Sequence, residues 1–142
     1  MNICRQRLAV FWPNGYETMT KWVYLITGGV AGTVVRYVLS GVVSEAAGTC
    51  FPYGTFVVNL AGCFLIGFLS VLADEKFILG PDMKMLLMVG FCGAFTTFST
   101  FMLETGNLIK NGETLRAFTN VLLSVIVGFL VFRLGILVAE LI

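Results

Sequence analysis

The sequence predicts an all-α integral membrane protein with four transmembrane helices, the third of them broken near its centre. Three observations lead there. Of the 142 residues, 58% are hydrophobic and only 12% charged, about half the share of roughly 25% in a soluble domain. Mean hydropathy is +0.93, and four apolar runs are each about as long as the 20 residues that cross a bilayer. In the third run the segment GFCGAFTTFSTF (90–101) crowds glycines and hydroxyls among phenylalanines, where a membrane helix ordinarily carries leucine and valine.

The opening 18 residues, MNICRQRLAVFWPNGYET, stand apart. Their apolar run LAVFW is shorter than the roughly 7–15 residues of a signal-peptide core. They are expected to form a disordered or interfacial extension, preceding a single four-helix membrane domain over residues 19–142.

The first span is expected from near Trp22 to Val43 and the second from near Tyr53 to Ala73. The third is expected from near Lys84 to Leu103 and the fourth from near Leu115 to Val138. The connections SEAAGTCFP, DEKFILGPD and ETGNLIKNGE are short and charged or carry Gly and Pro, as turns between helices do. Trp22, Tyr24, Tyr37 and Tyr53 fall at or near span ends, where aromatic belts form. Four spans put both termini on one side of the membrane. Lys21, Lys76, Lys84 and a snorkelling Arg133 would face that side, and Lys110, Arg116 and Arg36 the other. This near balance permits insertion in both orientations, and so an antiparallel dual-topology homodimer; a single topology with a weak signal is equally consistent with the charges.

Composition also excludes classes of function. Net charge is +1, which rules out a basic surface for nucleic acid as a theme of the chain. The chain has no histidine, the commonest general base, and no nucleophile–base pair, which argues against an enzyme. Cys4, Cys50, Cys63 and Cys92 lack metal-ligand spacing, and the two within spans read as small hydrophobes.

Polar residues within the spans are costly and so point to function. In the second span Asn59, Cys63 and Gly67 recur every fourth residue and share one face. The Asn59 amide is either an interhelical hydrogen bond or a donor to an anion, and the residues leave both open. Asn120, Ser124 and Gly128 repeat the spacing in the fourth span. The first carries Gly28 and Gly32, a spacing that allows close helix approach, and Arg36, which either snorkels or sets a positive charge beside an ion path. In the third, Gly90 and Gly93 weaken the helix. Thr96, Thr97, Ser99 and Thr100 can satisfy the backbone groups released by a break. Inward carbonyls of a broken helix bind a cation. Phe98 and Phe101 share a face, and the electropositive edges of their rings could contact an anion. Four helices hardly enclose a pore, so an oligomer is implied.

Three segments then point to a family. GGVAGTVVRY (28–37), GTFVVNLAGCFLIG (54–67) and GFCGAFTTFSTF (90–101) resemble, in order and spacing, the signature segments of the Fluc family of fluoride channels. The resemblance runs from Met19 onward. It implies a fluoride-selective channel, an antiparallel dual-topology homodimer with two pores, resident as a multi-pass protein in the bacterial inner (plasma) membrane. It implies a central structural sodium ion held by the backbone carbonyls of Gly93 and Thr96. Asn59, Phe98, Phe101, Ser99, Thr100, Asn120, Ser124 and Arg36 would line the fluoride pathway. Fluoride, the lipid bilayer and a second copy of the chain are the implied partners. The family often has two glycines and an aliphatic residue before the threonines; here stand Gly93, Ala94 and Phe95. A four-helix dual-topology multidrug exporter would carry a carboxylate in its first helix, and residues 22–43 hold no Asp or Glu. A non-transporting helper subunit would leave the cluster of Asn59, Thr96 and Phe98 without a purpose.

Overall fold

In a computed structural model the chain is described over residues 19–48 and 50–142; the extension expected over 1–18 lies outside them. Among the described residues four helical spans are long and apolar enough to cross a membrane: Met19–Ala47, Tyr53–Asp74, Pro81–Lys110 and Thr114–Glu140. They make this a multi-pass membrane protein. The first, second and fourth are single helices, α1 (Met19–Ala47), α2 (Tyr53–Asp74) and α6 (Thr114–Glu140). The third is composite. It opens with α3 (Pro81–Lys84), widens into a π-helical stretch over Met85–Cys92 and passes through α4 (Gly93–Phe95). After Thr96 and Thr97 it resumes as α5 (Phe98–Lys110).

The turns between spans have local causes. Gly48, at φ +84°, takes the left-handed conformation that ends α1, and Gly112, at φ +79°, does so between α5 and α6. Pro81 begins α3, where its missing N–H costs nothing. Lys84 Nζ meets Asp74 Oδ1 at 2.9 Å and ties the end of α2 to the start of the third span.

Two helix pairs dominate the packing, α2 against α6 and α1 against the π-helical stretch. Both depend on residues without side chains, since with no hydrophobic force between helices in lipid, close backbone approach carries the association. A Cβ on Gly28 would collide with the Leu86 carbonyl, and one on Gly32 with that of Phe91. A Cβ on Gly90 would sit 2.8 Å from Leu25 O and 3.1 Å from Gly28 Cα. Gly67 and Gly135 make the equivalent approach between α2 and α6, against the carbonyls of Phe132 and Phe64. Gly90 is therefore a packing residue that also lies within the widened π-helical stretch, three residues before Gly93 and ahead of the interruption at Thr96 and Thr97.

The spans run longer than hydropathy predicts, above all the third. ETGNLIKNGE, expected as a connection, is helical to Lys110. Two of its polar residues turn inward: Thr55 Oγ1 donates to Glu104 Oε1 at 2.9 Å, and Thr105 Oγ1 to Phe101 O at 2.7 Å. A charge that ends an apolar window need not end a helix when neighbouring helices supply partners.

Candidate functional site

The site is built around the two residues that separate α4 from α5. Thr96 (φ −84°, ψ 158°) and Thr97 (φ −148°, ψ 117°) are extended. In an unbroken helix Thr97 N–H would donate to Gly93 O and Thr100 N–H to Thr96 O. Neither does. Thr97 N–H donates to Asn59 Oδ1 at 2.9 Å, and Asn59 Nδ2 donates to Thr97 O at 3.1 Å. Both backbone polar groups of Thr97 are thus held by one amide from α2. Thr100 N–H donates to Thr97 Oγ1 at 3.2 Å, which makes Thr97 the N-cap of α5. Thr97 Oγ1 in turn donates to Thr100 Oγ1 at 2.9 Å. On the other side of the interruption, Cys92 O accepts both Thr96 N–H at 3.1 Å and Thr96 Oγ1 at 3.0 Å. These redirected bonds free the carbonyls of Gly93 and Thr96 from their helical donors. Gly93 is exposed, with open space around its Cα. Among the described residues no three His, Cys, Asp or Glu side chains converge, so a cation here would draw on such carbonyls.

Two cavities flank the interruption, and Thr97 borders both. One, of about 620 Å³, lies between α1 and α2 and is lined by Arg36, Ser40, Ser44, Thr55, Thr97 and Thr100. The other, of about 380 Å³, is lined by Asn59, Gly62, Gly93, Thr96 and Phe98 among others. The first offers hydroxyl donors beside the Arg36 guanidinium, with the Glu45 carboxylate also in its lining.

The phenylalanines divide. Phe101 is 7% exposed and Phe98 73%, although their ring centroids lie 5.9 Å apart at 40°. Phe98 projects beyond its own chain. Phe101 is held from behind: its carbonyl accepts from Thr105 Oγ1, which accepts from Asn120 Nδ2 at 2.9 Å. Asn120 is 1% exposed, and its Oδ1 is buried without a partner, as is Glu104 Oε2.

The residues singled out by sequence thus fall into groups. Asn59, Phe98, Gly93 and Thr96 meet at the smaller cavity, and Arg36 and Thr100 at the larger. Asn120 reaches Phe101 only through Thr105. Ser99 is exposed on α5 and Ser124 half-buried on α6, and neither lines these two cavities. Sequence reasoning missed Thr55, Gly62, Glu104 and Thr105. Thr55 and Gly62 lie in the signature segment GTFVVNLAGCFLIG without a role being read for them, and Glu104 had a signal of its own. Thr97, Thr100 and Glu104 stand at i, i+3 and i+7, one face of a helix, but the charge placed Glu104 in a connection.

A family profile described as CrcB-like protein, Camphor Resistance (CrcB), matches residues 23–136. Several curated proteins carry the name fluoride-specific ion channel FluC. That of Maridesulfovibrio salexigens is 45% identical over 111 residues, 78% of this chain and 88% of its own length. That of Chlorobaculum tepidum is 49% identical over 114 residues, 80% and 90% of the two chains. That of Desulforapulum autotrophicum is 41% identical over 122 residues, 86% and 98%.

Proposed function

The chain belongs to the CrcB family, and from that premise we propose that it is a fluoride-selective ion channel, not an enzyme, working as an antiparallel dual-topology homodimer in the bacterial inner membrane. Relatives of nearly full length bear the name of such a channel. The observation that carries the reading is the rerouting of two amides at the interruption of the third span. Thr97 N–H goes to Asn59 and Thr100 N–H to the Thr97 hydroxyl, so the third helix acts as a broken helix whose Gly93 and Thr96 carbonyls are available.

Those two carbonyls fit a sodium ion, a hard cation served by oxygen donors. A bound sodium would supply a positive charge that offsets the partial negative charges of these carbonyl oxygens. The chain's own part is to keep the carbonyls unpaired and to brace Thr97 with Asn59.

Fluoride is small and strongly hydrated, so its path must replace water with donors while binding weakly enough for release. Arg36 raises the local concentration of anions at one mouth. Thr100 and Ser99 provide hydroxyls along α5, and Ser124 one on α6. Asn59 has one N–H left after bracing Thr97, and Asn120 one after bonding Thr105. Ring edges of Phe98 and Phe101 add electropositive surface without full charge. The outward set of Phe98 and the inward set of Phe101 support a pathway completed by a second copy. Permeation is passive, and the membrane potential drives the anion out.

The test is efflux from liposomes loaded with potassium fluoride and carrying the purified protein, followed by a fluoride electrode after valinomycin addition. Rapid valinomycin-dependent release from these vesicles, with none from chloride-loaded ones, is expected. A well-folded dimer that releases no fluoride would refute the channel reading.

A further inference from the structure

We propose that Gly62 is a positioning residue for the interruption of the third span: its missing side chain is the seat of the Thr96 methyl group. With Asn59 it makes an α2 clamp that holds Thr96 and Thr97 in place from one face of one helix. The link to sodium rests on the reading above; the seat itself does not.

Gly62 differs in kind from the glycines that bring helix backbones together. At Gly28, Gly32, Gly67 and Gly135 the nearest obstacle to a Cβ is a backbone carbonyl of the facing helix, which marks close helix approach. At Gly62 the obstacle is one side-chain atom, Thr96 Cγ2. The next nearest atoms, Phe95 Cδ1 at 3.5 Å and Thr96 Cβ at 3.6 Å, are in ordinary contact range. A single methyl group therefore occupies the place where any larger residue would begin.

That methyl cannot swing away freely. Threonine is β-branched and stiff about χ1, and its Oγ1 donates to Cys92 O at 3.0 Å. Rotation that cleared the seat would break this bond. Asn59, three residues earlier on α2 and so on the same face, holds the backbone of the next residue at both polar groups. The two α2 residues thus grip consecutive residues, one by shape and one by hydrogen bonds. Filling the seat pushes Thr96 off α2 and turns its carbonyl, together with that of Gly93 across α4, away from its set position.

The test uses complementary shapes. Gly62→Ala fills the seat; Thr96→Ser deletes the methyl and keeps the hydroxyl; the double variant carries both. Each full-length protein is reconstituted for fluoride efflux over a range of sodium concentrations. Each is also melted in detergent with sodium and with a large organic cation in its place. From the ordinary cost of overpacking, Gly62→Ala should raise the sodium concentration for half-maximal efflux by about tenfold. It should also narrow the melting-temperature gap between the two cations. Thr96→Ser should change both little. The double variant should match Thr96→Ser in both readouts, so that filling the seat has no effect once the methyl is gone. If Gly62→Ala alone fails to assemble, assembly of the double variant supports the seat and its failure overturns it. A Gly62→Ala protein with wild-type behaviour, or a double variant as impaired as Gly62→Ala, overturns the proposal. A wild type indifferent to sodium sinks the sodium reading alone; slow efflux in Gly62→Ala, restored in the double variant, still supports the seat, and absence of that pattern overturns it.

Discussion

Replacing Asn59 by alanine removes both hydrogen bonds that hold Thr97, the 2.9 Å bond from its N–H and the 3.1 Å bond to its carbonyl. Interhelical hydrogen bonds within membranes contribute about 0.6–2 kcal/mol each. Leaving a buried backbone group without a partner costs about 1–3 kcal/mol. The site is only part-buried, so the low end applies, and two such groups cost about 2–4 kcal/mol together. At 1.4 kcal/mol per factor of ten, the braced state loses about 30- to 700-fold against released states. The assay is hydrogen–deuterium exchange read on peptides covering 93–101, because the Thr97 amide is itself one of the two groups released. Its exchange should accelerate by a factor in that range while peptides from the centre of α6 stay as in the wild type. Fluoride efflux should fall with it. Asn59→Asp keeps an acceptor for Thr97 N–H but sets a second oxygen against Thr97 O, so it should lie between wild type and alanine. Unchanged exchange and unchanged flux in Asn59→Ala would refute the bracing argument.

Two further outcomes follow from the same geometry. Phe98→Ile should abolish fluoride efflux while leaving the chain folded and the dimer intact on size-exclusion chromatography, since the ring carries little packing within its own chain and isoleucine keeps an apolar surface there; wild-type flux in this variant would remove the ring-edge role. Asn120→Leu should change the melting temperature little despite the near-complete burial of Asn120. It loses one bond, to Thr105, but also removes a buried oxygen without a partner, two effects of opposite sign and each about 1–2 kcal/mol; a large drop would show that the Asn120 oxygen has a partner in the assembled protein.

Much of the fold was legible in the chain alone because it obeys one-dimensional rules. A backbone in lipid must satisfy its hydrogen bonds internally, so an apolar run of bilayer length becomes a helix whatever it packs against. The four spans, the small-residue faces of α1 and α2, and the concentration of hydroxyls at 96–100 could be read in that way. The resemblance carried by the three motifs supplied the family.

Tertiary contact decided the rest. Hydropathy closed the third span near Leu103, yet Thr55 and Asn120 supply partners for Glu104 and Thr105, and the helix continues to Lys110. Gly90 lies in the widened π-helical stretch, and what the chain alone did not show is its close packing against Gly28. The extended residues are threonines, held open by an amide 38 positions earlier in the chain. Phe98 and Phe101 look equivalent by spacing, but the packed structure buries one and leaves the other exposed. Where a chain lies in the membrane is set by each segment's own transfer from water. Where a helix opens is set by which distant group can take its hydrogen bond, and that only the packed structure determines.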